Sequence, residues 1–159
     1  MNKQGGFSFI ELLLYLGLTA IVLGLFGSIL VTTLRIQNQQ SANQQIITEL
    51  NFVMNVIKTD VRDAQSLTVS STSISLVNTS SSTILIEEAS GTITRKVGSG
   101  SAEPITTDRI NVDNATFSKK TGSSGIEAVV ASLTFSYNSE NPQQQATQTL
   151  NSTIVPLNQ

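Results

Sequence analysis

Residues 5–35 read GGFSFIELLLYLGLTAIVLGLFGSILVTTLR, and this stretch decides the fold. From Leu12 to Leu34 no residue is charged, a run of 23 positions. As a helix at about 1.5 Å per residue it covers roughly 35 Å, enough to cross a hydrocarbon core of about 30 Å. The rest of the chain is too polar to wrap such a helix on all sides, so a membrane span is expected rather than a buried core helix. One acid, Glu11, stands at the start of the run. An ionisable group in a span is costly and normally has a partner. Leu14, Tyr15 and Leu18 occupy the positions three, four and seven further on, so its own helix supplies none. The partner is expected outside the chain or from processing.

Ahead of the run the polar leader MNKQ precedes Gly5, Gly6 and Phe7. Gly6, Phe7, an acid four residues later and an unbroken apolar helix together resemble the type IV prepilin cleavage motif. The alternative is an ordinary signal anchor that carries an acid by chance. The resemblance implies a cut between Gly6 and Phe7 by a membrane-embedded prepilin peptidase, followed by N-methylation of Phe7. It also implies a partner for Glu11, the new amine of Phe7 on a neighbouring subunit. Opposite charges attract strongly where neither reaches water. Glu11 then serves subunit assembly and has no catalytic role.

Gly17, Ala20, Gly24 and Gly27 recur at spacings of three, four and three. They line one helix face and suit close helix packing, although glycine is in any case commoner in membrane helices. Many pilins carry a helix-breaking proline at the position of Ser28, and this chain departs from that pattern. Lys3 and the initiator amine, against a lone Arg35, favour an N-terminus inside the cell and a C-terminal domain outside. A secretory cleavage site after Gly27 is disfavoured because Ile29, Leu30 and Val31 continue the apolar run.

Beyond the span, QNQQSANQQ at 37–45 has no charge and no helix breaker, so the helix is expected to continue. Ile46, Leu50, Val53, Ile57, Val61 and Ala64 then form one stripe at helical spacing, broadened by Ile47, Phe52 and Met54. Glu49, Lys58, Asp60, Arg62 and Asp63 are read as a solvated face. After Ser66 the period changes to two. Short strands are predicted at 67–69, 74–77, 84–86, 93–97, 110–112, 131–137 and 153–157. Breaks are read at 78–82, 90–91, 98–104, 122–125 and 138–145. The expected class is α+β, a long N-terminal helix packed on a small antiparallel β-sheet, pilin-like in architecture. The expected divisions are a leader at 1–6, a transmembrane and assembly helix at 7–36, an amphipathic half-helix at 37–66 and a β-rich domain at 67–159.

Three fragments resemble a narrower group, the J-type minor pseudopilins and W-type minor pilins. They are Asp60-Val61-Arg62 with Ala64, Ile93-Thr94-Arg95, and Leu133-Thr134-Phe135-Ser136-Tyr137.

The formal net charge is −2, and residues from Gln37 onward carry seven Lys/Arg against ten Asp/Glu, so no basic field favours nucleic acid. Cysteine and histidine are absent, which removes disulfides, thiolate or imidazole metal sites, and Cys or His catalysis. Asp108, Asp113 and Asn114 lack the dense carboxylate spacing of a calcium loop and are read as surface groups. Lys119-Lys120 is too small for a nucleic-acid footprint. Asn78, Asn114 and Asn151 each begin an Asn-x-Ser/Thr triplet, expected by chance in a chain this rich in those residues. No motif for nucleophilic catalysis or hydrolysis appears, and no cofactor is expected.

The resemblance implies a minor pilin or pseudopilin, a membrane-stored subunit of a type IV pilus-like or type II secretion filament. Its implied partners are the prepilin peptidase, other pilin or pseudopilin subunits, the inner-membrane assembly platform and lipid. A major subunit of the same filament fits the same residues. So does an uncut single-pass protein with an external binding domain, which intact residues 1–6 would favour.

Overall fold

The computed structural model describes residues 8–122, 127–142 and 144–157. One helix, α1, runs Phe9–Arg62 without interruption, 54 residues in all. The Ser8 carbonyl accepts the N–H groups of Glu11 and Leu12 at 3.0 and 3.2 Å and so starts the helix. By internal contacts the chain forms two compact units, 1–38 and 39–159.

In the first unit every described residue is exposed, including Phe9, Ile10, Leu14, Leu23 and Phe26. The helix reaches a mean hydropathy of 2.3 in its most apolar window, long and apolar enough to cross a membrane. Its threonine hydroxyls are turned back on the backbone. Thr19 donates to the Tyr15 carbonyl at 2.7 Å, and Thr32 and Thr33 donate to Ser28 and Ile29 at 2.9 Å. Such back-bonding satisfies a polar group without water, as a lipid-facing helix requires. The helix continues unbroken through Ser28.

The second unit holds the core. The stripe Ile46, Leu50, Val53, Ile57 and Val61 is buried, and Met54 joins it, as the helical spacing predicts. Ile47 and Phe52 do not broaden it, since both are largely exposed. The helix ends at Arg62, before the boundary at 66 drawn from the sequence. Ala64, counted with the helical stripe, is the first residue of β1 (Ala64–Val69), buried there as it would be on the helix. Leu67 and Val69 pair with Leu76 and Ile74, so the backbone there takes its hydrogen bonds from the β1–β2 ladder.

The strands form two antiparallel sheets, where a single small sheet was expected. The first contains β1, β2 (Ser73–Asn78), β3 (Thr83–Ala89), β4 (Thr92–Val97) and β5 (Glu103–Pro104), in sequence order. The second contains β6 (Ile110–Thr121), β7 (Glu127–Tyr137) and β8 (Thr147–Ile154). The β3–β4 turn is Ser90-Gly91, both at positive φ (54° and 76°), the two-residue geometry whose twist suits a hairpin.

β6 is far longer than the three residues read from the sequence, and its bulge explains why. Ile110 and Val112 point into the core, then Ala115 and Phe117 do, one residue out of phase. The register shift between Val112 and Asn114 inserts Asp113 and restores the phase, so both pairs face the same side. β8 was missed over 147–152 because it lies at the sheet's edge and buries only Ile154 fully. The break at 122–125 falls mostly outside the described residues.

Hairpin tips tie the two sheets together. The Gly91 carbonyl accepts the Val112 N–H at 2.9 Å, and the Ser71 carbonyl accepts the Phe117 N–H at 2.9 Å. The observed architecture is therefore α+β, with the distal part of one long helix packed on antiparallel sheets.

Candidate functional site

The N-terminal segment holds most of the residues singled out in the sequence. Gly6 and Phe7 lie outside the described residues. Glu11 sits in the first turn of α1, where the positive end of the helix dipole favours an anion. Among the described residues it has no ion-pair partner, and the apolar side chains around it are all exposed. Gly17, Gly24 and Gly27 each have open space where a Cβ would stand, with no atom within 4 Å, so nothing in this chain's own packing requires glycine there. Ala20 is exposed beside them. At about 100° per residue, these four small residues cluster on one side of the helix, and Glu11 points roughly 160° away. One helix thus carries a charge on one side and a row of small residues on the other.

The second constellation was not foreseen. Asp60, read as a solvated acid, is buried and accepts from Arg95 through both oxygens. The Arg95 Nε–Asp60 Oδ2 distance is 2.7 Å and the Nη2–Oδ1 distance is 2.9 Å, a bidentate pair. The hydrogen bond to Asp60 raises the Arg95 pKa above its usual value, against the opposing effect of burial, and the aspartate's charge adds to the rise. The signal was present in the pattern. Asp60 stands three residues after Ile57 and so falls on the buried stripe, and Arg95 alternates with buried Ile93 on the helix-facing side of β4. A charge placed on a buried face calls for a partner. The pair joins two sequence fragments, Asp60-Val61-Arg62 and Ile93-Thr94-Arg95, that were noted separately.

Further contacts fix the helix to the sheets. Glu49 accepts the Thr107 N–H at 2.6 Å, Gln148 Nε2 donates to Asn43 Oδ1 at 3.2 Å, and the Arg62 carbonyl accepts the Leu157 N–H at 3.2 Å. Glu49 is therefore a tether as well as a surface group.

Several of the surface groups considered in the sequence make local contacts. Asp113, on the bulge, accepts from Asn111 Nδ2 and Ser136 Oγ at 2.8 Å each. The Asp108 carbonyl accepts from Asn138 Nδ2 at 3.0 Å. Lys119 pairs with Glu127. Asn78 Oδ1 caps its own turn by accepting the N–H groups of Ser80 and Ser82. Among the described residues no three acidic side chains converge as a metal site.

Residues 1–27 match the family model described as a prokaryotic N-terminal methylation motif. No curated protein and no solved structure matches the chain. The motif match covers both positions of the expected cut, together with Glu11 and all four small residues. It supports a type IV pilin-like precursor.

Proposed function

We propose that this chain is a structural subunit, a minor pilin or pseudopilin, of a type IV pilus-like or type II secretion filament. The observation that carries this reading is the methylation-motif match at the head of a long, wholly exposed apolar helix whose continuation packs on antiparallel sheets. In this reading the prepilin peptidase cuts between Gly6 and Phe7, and Phe7 becomes the methylated N-terminus. The apolar half of α1 anchors the subunit in the inner membrane with its C-terminal domain outside the cytoplasm. The assembly platform and other subunits then receive that helix into a filament. Lipid and neighbouring helices are the two environments that satisfy such a surface.

Glu11 is the assembly residue. In a bundle of parallel helices its carboxylate takes the Phe7 amine of a neighbour, while the face of Gly17, Ala20, Gly24 and Gly27 receives a different helix. Contacts on opposite sides of one helix are heterologous, the kind that propagates into an open filament. The J-type or W-type subgroup is supported by the Asp60–Arg95 pair, which unites two of the three fragments that resemble that group.

The test is Glu11→Gln, which keeps size and hydrogen bonding and removes the charge. Membrane insertion and cleavage should persist, since the span loses a costly ion and the cleavage motif is otherwise intact. Recovery in sheared filaments should fall steeply, because a buried amine that loses its counter-charge costs about 3–5 kcal/mol. Equal recovery of wild type and variant would overturn the assembly role of Glu11.

A further inference from the structure

We propose that the cleft between α1 and the β4–β5 edge docks a protein segment that presents a carboxylate beside an apolar side chain. The cleft has a volume of about 450 Å³, and Phe52, Val56 and Ile105 line it together with Asn55, Thr59 and the Asp60–Arg95 pair. Phe52 is 54% exposed although it projects from the same helix as the buried core stripe. An aromatic ring left in solvent at the lip of an open, largely apolar cleft is a surface suited to an apolar partner.

Arg95 supplies the polar half of the recognition. A guanidinium has five N–H donors, and the bonds to Asp60 use two of them, at Nε and Nη2. Its side chain is 31% exposed while that of Asp60 is 9% exposed, so the accessible side of the pair is the cationic one. Glu103 stands opposite Arg95 in the β4–β5 register but forms no ion pair with it among the described residues. The spare donors therefore remain open to a carboxylate from outside. Asp60 holds the guanidinium plane fixed, so the partner does not have to order a long flexible side chain. An acidic residue flanked by leucine or a similar side chain meets both halves, with the carboxylate on the free Nη edge and the apolar chain against Phe52, Val56 and Ile105.

The experiment titrates the full chain in detergent micelles with acetyl-Leu-Glu-Leu-amide and, separately, with acetyl-Leu-Gln-Leu-amide, following backbone amide resonances. The Glu peptide should shift Phe52, Val56, Arg95 and Ile105 saturably and bind about tenfold more tightly than the Gln peptide, the difference between charge-assisted and neutral hydrogen bonding. Phe52→Ala, which alters an exposed side chain and leaves the core intact, should weaken the Glu peptide by about threefold or more. Equal binding of the two peptides, shifts centred elsewhere, or an unaffected Phe52→Ala variant would each overturn the proposal. So would acetate alone producing the same shifts at the same concentration, since the apolar half would then contribute nothing.

Discussion

A single carboxylate gives the helix a directional tie to the first sheet, beside the apolar stripe that packs there. Asp60 is almost wholly enclosed, whereas Arg95 keeps part of its side chain in solvent. Removing either partner strands the other, and the loss depends on how much water the survivor can reach. Asp60→Ala leaves a partly solvated guanidinium and should lower stability by about 1–3 kcal/mol. Arg95→Ala leaves an enclosed carboxylate and should cost more, about 3–4 kcal/mol. Urea melts of the full chain in micelles at neutral pH measure both, and equal losses would contradict the asymmetry. The sequence hid this pair for a physical reason. Helical period places Asp60 inside, but the period does not say which distant residue answers it, and Arg95 lies 35 positions away. Glu11 is singled out by the opposite logic, because its isolation in an apolar run draws attention without any distant residue.

Among elements, the helix was the most legible. Its apolar run and following stripe repeat over many turns, so chance periodicity is averaged out. Most strands were located but not measured, and β5 at Glu103–Pro104 was missed inside the stretch 98–104 read as a break, since two exposed residues carry no alternation. β6 reads as three residues because its bulge at Asp113 breaks the alternation that marks a strand. β8 reads only from Thr153 because its exposed side carries Thr147, Thr149, Asn151 and Thr153, while only Ile154 is fully buried, and the strand ends there, short of the 157 expected. Sheet membership was beyond reach of the pattern, since the joining bonds from Ser71 and Gly91 to β6 are made by backbone carbonyls in turns. Gly91 tests that joint. Its φ is +76°, and a Cβ there would stand 2.5 Å from Asn111 Oδ1. Gly98, at φ +56°, has open space around it. Gly98→Ala should cost about 1 kcal/mol from backbone strain alone. Gly91→Ala should cost about 2 kcal/mol or more, because the clash with Asn111 adds to the same strain. Thermal melts of the two variants compare them, and a smaller loss at Gly91 would show that Asn111 yields freely.

At the scale of the molecule, the two units divide the work. Residues 39–159 bury a continuous core and need no outside surface to do so. Residues 8–38 bury nothing, and their apolar side chains gain a stable setting only in lipid or among other helices. Under the function proposed above, the subunit is stored in a bilayer and passes to a bundle once cleavage creates a new amine at Phe7. Intact-mass analysis of the protein recovered from its own membrane tests this most directly. The account predicts a chain that begins at Phe7, lacks residues 1–6 and carries one added methyl group. A protein that retains Met1 or Asn2 at its N-terminus would contradict it.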